Sequence, residues 1–431
     1  MSDQEEKKQE EKKNAAKILA EEILDDHEAE LSFWSGALRA VQVPLLAVVS
    51  GLILGGVFIF FTTESMYAGW AQSPLVGIGN GLEAVWSAYV ALFRGSIGSP
   101  ARVINAIQSG EGEAIRRAFN PFLESLVKST PFIYASLAVA LGFRAGLFNI
   151  GAEGQLFLGA IFAAFVGYSL QGIPAVIHIP LALLAGALGG AIWGFIPGFL
   201  KARTGGHEVI NTIMMNFIAI RLSEWLLSGP MQRPDSFNPI SPTISESAML
   251  PRFFGPPTRL HLGFFIALGV AWLVYWLLFR TTWGFDLRTA GSSPRAARYA
   301  GMNTLLSIVV AMSLSGALAG LAGANEVLGV NHNLAMAFSA GLGFDAIALA
   351  LLGKSHPVGV VLAALLFGFL KNGSTQMQIS AGVPVDIIAI LQAMILMFIA
   401  APAIIRTIYR LREPVHEEEA VSIGGWGDEQ T

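Results

Sequence analysis

Apolar residues in this chain are concentrated in long runs, and polar residues collect between them. A helix of about 20 apolar residues crosses the hydrocarbon core of a bilayer. The pattern therefore predicts an all-α polytopic membrane protein with about ten transmembrane helices, several of them shortened or broken by Gly and Pro. The runs are Val43–Thr62, Leu126–Gly142, Leu147–Tyr168, Ile177–Leu200, Val209–Leu227, Leu262–Phe279, Leu305–Ala324, Gly341–Leu352, Val358–Leu370 and Val385–Ile405.

One further segment, Leu75–Phe93, is apolar enough to be a candidate span, but Asn80 and Glu83 interrupt it. If it crossed the membrane, every later loop would change sides and the basic loops would face outward. We therefore predict that it lies outside, as a surface or re-entrant helix.

The basic residues between the runs predict the orientation of the chain. Cytosolic loops of membrane proteins carry an excess of Lys and Arg. With the N-terminus inside, the inner segments contain Lys201, Arg203, Arg280, Arg288, Arg295, Arg298, Lys354, Arg406, Arg410 and Arg412. The long loop 228–260 carries few basic residues for its length. Both termini are accordingly predicted to be cytosolic.

The same pattern divides the chain into three parts. Residues 1–42 form an acidic and lysine-rich leader, in which Ala15–Leu31 has the spacing of an amphipathic helix. Residues 43–412 form the membrane domain, with an external segment 63–121, an external loop 228–260 and a cytosolic loop 280–302. Residues 413–431 form a polar cytosolic tail.

Composition excludes several classes of protein. Only 13% of residues are charged, 53% are hydrophobic and the net charge is −4, which argues against a soluble globular domain, a disordered chain and a nucleic-acid partner. The chain has no Cys, so disulfides and thiolate metal sites are absent. Gly353-Lys354-Ser355 lacks the first glycine of a phosphate-binding loop, and His207–Asn211 lacks the second histidine of a zinc-protease motif. We predict no catalytic residue and no metal site.

Small residues predict how the helices pack. Gly186, Gly190, Gly194 and Gly198 recur every fourth residue, and Gly51 with Gly55 and Gly316 with Gly320 share this spacing. Glycines on one helix face allow two backbones to approach closely inside a bilayer. The pattern predicts a tight bundle and does not by itself indicate a site.

Polar side chains within the runs are candidates for the lining of a solute path, because they are costly in lipid and normally face protein or water. Asn149 and Glu153 are four residues apart, which would place them on one helix face. The alternative is that these side chains make interhelical hydrogen bonds that stabilise the bundle. The candidates are Asn149, Glu153, Gln155, Glu208, Asn211, Asn216 and Asp345. Arg221 and Glu224 could neutralise each other.

The cytosolic loop contains a short helix with well-defined ends. Ser293 is a favourable N-cap, Pro294 suits the first helical position, and Gly301 follows a short Ala-rich run. A short rigid helix between two spans can transmit motion from a cytosolic motor. An ordinary surface helix is the alternative interpretation.

Four segments resemble one family. Gly142–Gln155, His207–Asn216, Gly343–Gly353 and the loop Arg288–Gly301 are similar to motifs of the permease subunits of bacterial ABC importers for branched-chain amino acids and simple sugars. Within that group the chain is most similar to the nucleoside-type permeases that work with basic-membrane-lipoprotein binding proteins. The family commonly has Asn where Ser293 stands, but Ser also caps a helix.

The resemblance implies a ten-span permease fold in the bacterial plasma membrane and a transport subunit without catalysis of its own. It implies a second permease, identical or related, an ATPase with two nucleotide-binding domains that binds ATP and Mg, and an external solute-binding lipoprotein. The solute would be a nucleoside; a ribose-like simple sugar, or a self-contained secondary transporter, is the alternative. The loop that would contact the ATPase contains Arg288, Gly291, Ser293, Pro294, Ala296, Ala297 and Gly301.

Overall fold

The computed structural model describes residues 42–234 and 236–411. The predicted tail and all but the last residue of the predicted leader, including Ala15–Leu31, lie outside the described residues. Within the described ranges helices dominate, and extended structure is limited to two isolated β-bridges, Ile240 with Ala335 and Arg252 with His261. The all-α polytopic class predicted from the sequence is confirmed.

Sixteen α-helices are described, and their lengths follow the apolar runs. They are α1 Gln42–Thr62, α2 Glu64–Trp70, α3 Pro74–Ser96, α4 Pro100–Ser109, α5 Gly112–Arg144, α6 Ala152–Ser169, α7 Ala175–Thr204, α8 Glu208–Leu227, α9 Leu262–Arg280, α10 Thr282–Ser292, α11 Pro294–Tyr299, α12 Thr304–Asn325, α13 Leu342–Leu352, α14 Pro357–Ala381, α15 Val385–Ala400 and α16 Pro402–Ile408. A π-helical turn, Glu326–Asn331, continues α12.

Eight of the described helices are long and apolar enough to cross a membrane, and α15 with α16, bent by 86°, would make a ninth. This set includes α3, which was not among the ten predicted runs, and it lacks two helices that were. Helix α8 contains Glu208, Arg221 and Glu224, which lower its apolar content, and α13 is only 11 residues long. Arg221 and Glu224 do form the expected ion pair, with 2.6 Å between Nη1 and Oε2. Helix α3 meets the length and composition test, while its predicted external position stays a prediction.

The described chain forms two compact units. The smaller one contains residues 42–55 and 391–411. In it, a methyl group added at Gly51 would lie 2.7 Å from Cα of Ile395, and one added at Gly55 would lie 2.7 Å from Cδ1 of Leu391. The close packing predicted for these two glycines is confirmed.

The larger unit, Gly56–Ile390, is built around α5, α6, α7 and α12. Of the most apolar stretch of α5, 89% is buried, and of that of α6, 72% is buried. The glycine face of α7 packs on α12: a methyl group added at Gly190 would lie 2.2 Å from the carbonyl oxygen of Gly316, and one at Gly194 would lie 2.3 Å from that of Met312. The close packing predicted for these glycines is confirmed, and it brings the backbones of α7 and α12 into contact.

Candidate functional site

The junction between α5 and α6 is a tight turn within the most buried part of the larger unit. Helix α5 ends in a Schellman motif: Gly146 N–H donates to Phe143 O (3.0 Å) and Leu147 N–H donates to Gly142 O (2.9 Å). Gly146 has a φ of +69°, which glycine adopts without steric cost. The helix breaks here, as the glycines suggested, and α6 begins only at Ala152.

Asn149 lies in this turn, so the expectation that it shares a helix face with Glu153 is wrong. The predicted run starts at Leu147, but α6 begins only at Ala152, so Asn149 precedes the helix that carries Glu153. The Asn149 amide is fully buried. Its Nδ2 donates to Gln155 Oε1 and to Ser315 Oγ, both at 2.8 Å, and its Oδ1 accepts from Gly151 N–H at 2.9 Å. One side chain thus joins the turn, α6 and α12.

Asn216 on α8 binds the same turn from the other side. Its Oδ1 accepts from Gly154 N–H at 2.8 Å, and its Nδ2 donates to Ile150 O at 2.9 Å. These bonds satisfy an orphan backbone donor in the first turn of α6, where no preceding residue can serve as partner. Asn216 therefore fixes α8 against the start of α6.

Glu153 links α6 to the segment before α13. Its side chain is buried, with 3% exposed. Ser339 Oγ donates to Oε1, and Gly343 N–H donates to Oε2 at 2.6 Å. Gly343 lies in the first turn of α13, where backbone donors and the helix dipole favour a carboxylate. A methyl group at Gly343 would lie 2.4 Å from Glu153 N, so the backbones also touch.

The remaining path candidates have different surroundings. Glu208 forms an ion pair with Lys201, with 2.6 Å between Oε2 and Nζ and both side chains close to fully buried. Asn211 and Asp345 are partly exposed. The positive charge of Lys371 attracts the carboxylate of Asp345. The structure brings Asn149, Gln155 and Asn216 together around one turn, with Glu153 next to it, and leaves Asn211 and Asp345 at the surface of this chain.

Two serines in this network were not anticipated. Ser315 on α12 donates to Ala138 O at 2.6 Å while accepting from Asn149, and Ser339 binds Glu153. The sequence signal was weak, because serine is common in apolar helices and often donates to its own backbone. Only the tertiary structure distinguishes these two from other serines.

The short helix in the loop 280–302 has the predicted ends. Ser293 Oγ accepts from Ala296 N–H, α11 starts at Pro294, and Gly301 has a φ of +81°. A second Schellman motif closes it, with Gly301 N–H donating to Arg298 O and Met302 N–H to Ala297 O. Gly291, Pro294 and Ala297 are buried, whereas Ser293, Ala296, Arg298 and Tyr299 are exposed, Tyr299 by 97%.

The preceding helix, α10, packs directly on the α5–α6 junction. A methyl group at Gly291 would lie 2.6 Å from Arg144 O and 2.6 Å from Gly146 N. Arg144 donates to the carbonyls of Ser355 and Lys354 at 3.0 and 3.2 Å. Arg288 lies over the ring of Phe279, 5.1 Å from its centroid, and Arg144 lies 5.6 Å from the same centroid. The two arginines and α10 thus join the short helix to the turn that holds Asn149.

No cluster of three or more His, Asp or Glu suited to a metal ion occurs among the described residues.

Residues 122–400 match the family described as branched-chain amino acid transport system / permease component.

Three relatives extend this finding beyond the matched range. The chain is 40% identical over 372 residues to the guanosine ABC transporter permease protein NupP of Bacillus subtilis, which covers 86% of this chain and 95% of that protein. It is 31% identical to the nucleoside ABC transporter permease protein NupB of Lactococcus lactis (90% and 98% covered). It is 38% identical to the glucose ABC transporter permease protein TsgB13 of Haloferax volcanii (64% and 75% covered). No solved structure gives a significant match.

Proposed function

The chain belongs to the family of branched-chain amino acid transport system permease components, and we propose that it forms the translocation path for a nucleoside in an ATP-driven importer. It is a multi-pass plasma membrane protein and a permease component of an ABC transport system. The observation that carries the nucleoside assignment is the length of the match: the guanosine and nucleoside relatives cover 86% and 90% of the chain.

The proposed division of labour gives ATP hydrolysis to another subunit. An ATPase with two nucleotide-binding domains would bind ATP and Mg, and an external lipoprotein would deliver the solute to this chain and a second permease. One sequence feature supports this: the segment around Lys354 lacks a complete phosphate-binding loop. In this arrangement both termini are cytosolic and the chain is not catalytic.

We assign contact with the ATPase to the exposed face of α11. Its core-facing residues, Pro294 and Ala297, attach the helix to the protein, while Ala296 and Tyr299 project outward. Residues Arg288, Gly291, Ser293 and Gly301 then act by positioning α11 rather than by touching the partner. The supporting observations are their capping bonds and the close approach of Gly291 to the α5–α6 junction.

The path candidates divide in the same way. Asn149, Glu153, Gln155 and Asn216 have their polar atoms engaged within the subunit, so we assign them to positioning the helices beside the path. Glu208, paired with Lys201, belongs with them. Asn211 and Asp345 are partly exposed. We assign them to the surface along which the solute moves between the two permeases.

Reconstitution tests the proposal. Vesicles containing the two permeases, the ATPase and the binding lipoprotein should accumulate radiolabelled guanosine when ATP is supplied, and vesicles containing this chain alone should not. Unlabelled nucleosides should compete, and ribose or glucose at the same concentration should not. Uptake by the isolated chain would refute the importer assignment, whereas ATP-dependent uptake of radiolabelled ribose or glucose without uptake of guanosine would favour the simple-sugar alternative, which the Haloferax relative also supports.

A second experiment separates coupling from binding. Gly291→Ala adds a methyl group against Arg144 and Gly146 while leaving the exposed face of α11 unchanged. We expect the ATPase to co-purify with this variant while ATP-dependent uptake falls by about tenfold or more. Unchanged uptake would contradict the positioning role of Gly291.

A further inference from the structure

A cavity lined by both polar and apolar residues lies away from the junction described above, between α3, α4, α5 and α14. Its volume is about 540 Å³, within the range of small-ligand sites. Its lining includes the exposed residues Arg94, Arg102 and Arg117, together with Asn120 and Gln376. Three cations around one cavity in an otherwise charge-poor chain are unusual, and nothing in the transport function proposed above uses them.

The positive charge of the cavity is not neutralised from within. Arg94 and Arg102 have no ion-pair partner in the described part of the chain, and Arg117 pairs only with Glu113 at the exposed surface. Solvent-exposed pairs of this kind hold their partners weakly. The one carboxylate in the wall, Glu124, already accepts two hydrogen bonds from Arg259, one from Nε at 3.1 Å. The cavity therefore presents net positive charge.

The walls are fixed before any ligand arrives. Asn372 donates to Gly95 O and Pro121 O, both at 2.9 Å, and to Ser125 Oγ at 3.0 Å. Ser125 Oγ donates in turn to Ser96 O at 2.8 Å. These hydrogen bonds connect α3, α5 and α14 and fix the three helices relative to one another around the cavity.

The arginines suit one kind of ligand. Guanidinium forks match the oxygens of a phosphate group and can hold two of them at once. Arg94, Arg102 and Arg117 line the same cavity from α3, α4 and α5. The cavity therefore favours a ligand that carries a phosphate group.

The surroundings are apolar. Trp86, Phe93, Ile97 and Ile104, on α3 and α4, are each more than half exposed, and α3 is itself apolar enough to lie in a membrane. A ligand with a phosphate group and hydrocarbon chains would place its phosphate on the arginines and its hydrocarbon chains along these apolar side chains. Basic pockets between membrane helices bind anionic head groups on this principle.

We propose that this cavity binds a phosphate group, and that the phosphate is carried by an anionic phospholipid of the surrounding bilayer. A free phosphate anion has the same chemistry and is the second possible source. The site is separate from the residues assigned to the path and to α11.

Native mass spectrometry of the full chain in phosphate-free detergent tests this proposal with two probes, dioleoylphosphatidylglycerol and dioleoylphosphatidylcholine. The wild type should retain phosphatidylglycerol at least about tenfold better than phosphatidylcholine, measured as the fraction of protein that carries the lipid. Arg94→Gln with Arg102→Gln should abolish that preference, and Arg116→Gln, an exposed arginine on α5 outside the cavity, should preserve it. Thr375→Trp, which fills the cavity and leaves its charges intact, should also abolish it.

Thermal unfolding with and without inorganic phosphate distinguishes the two sources. In one outcome, inorganic phosphate stabilises the wild type but not the double variant, and phosphatidylglycerol is not preferred. That result would support a phosphate site and refute the lipid as the source of the phosphate. If the double variant kept the wild-type lipid preference, or if Arg116→Gln removed it equally, the site would be refuted in favour of unspecific surface charge. Retention in Thr375→Trp would refute the role of the cavity.

Discussion

Replacing Glu153 by Gln tests whether this carboxylate holds the bundle together or touches the solute. Both of its hydrogen-bond partners, Ser339 Oγ and Gly343 N–H, are donors. Glutamine keeps one acceptor oxygen and turns an NH₂ group toward the other donor. One charge-assisted hydrogen bond is lost, about 1.5–3 kcal/mol, together with a favourable interaction at the α13 N-terminus of about 0.3–1 kcal/mol.

The expected loss of stability is therefore about 2–4 kcal/mol. With an unfolding entropy of roughly 2 cal/mol/K per residue, this corresponds to a fall of about 3 °C in melting temperature for a chain of this size. A double-mutant cycle with Ser339→Ala should give a coupling of about 1–2 kcal/mol, because the two side chains share one hydrogen bond. Glu224→Gln is the matched control, since its ion pair with Arg221 is largely exposed and contributes at most about 1 kcal/mol.

The measurements are thermal unfolding in detergent and guanosine uptake by the reconstituted importer. We expect Glu153→Gln to lower stability and the maximal uptake rate together, and to leave the concentration of solute at half-maximal uptake within about twofold. A variant with wild-type stability and a strongly raised half-maximal concentration would refute the positioning role, and would place Glu153 in the path.

Three further predictions concern other parts of the molecule. Tyr299→Ala, on the exposed face of α11, should reduce ATPase co-purification by about tenfold without loss of stability. Ala297→Asp should destabilise the protein, because Ala297 is fully buried. Equal stability of the two variants would contradict this distinction. Gly190→Leu should prevent assembly of the α7–α12 seam or cost about 3 kcal/mol or more, measured as loss of folded protein in size-exclusion chromatography, because even its Cβ would overlap a carbonyl oxygen of α12. Burial, with the charge of nearby Arg252, lowers the pKa of His261 from 6.5 to about 4, so the unfolded chain takes up a proton before the folded chain does. Stability should fall by about 1.4 kcal/mol per pH unit between pH 6.5 and 4, about 3 kcal/mol in total, and His261→Gln should flatten that part of the pH profile of the melting temperature while His207→Gln should not.

Features that depend on local spacing could be predicted from the sequence. The cap of α11 follows from Ser293, Pro294 and Gly301, since each residue has a backbone preference that acts within one turn. The α7–α12 seam follows from glycines at every fourth position, because that spacing places them on one face whatever the helix packs against.

Features that depend on where a helix breaks could not. The expectation for Asn149 failed because α6 begins at Ala152 and not at Leu147, and an apolar stretch that contains Gly146, Gly151 and Gly154 does not reveal at which glycine the helix starts. The same limit applies to Ala297, which sequence alone presents as one of two adjacent alanines. Only the packing of α11 buries Ala297 and exposes Ala296.

The contacts around Gly291 show how a force on α11 would reach the turn between α5 and α6. Helix α10 rests on the backbone of Arg144 and Gly146 with no side chain between them, so a displacement of α10 cannot be absorbed by a rotamer change. The turn in contact with α10 continues into Asn149, whose amide joins α6 and α12. A force applied to α11 would thus reach the helices beside the path through a few rigid contacts. Such a connection needs two discrete arrangements of the turn in order to act as a switch, and the buried amides favour this, because their hydrogen bonds are either made or broken.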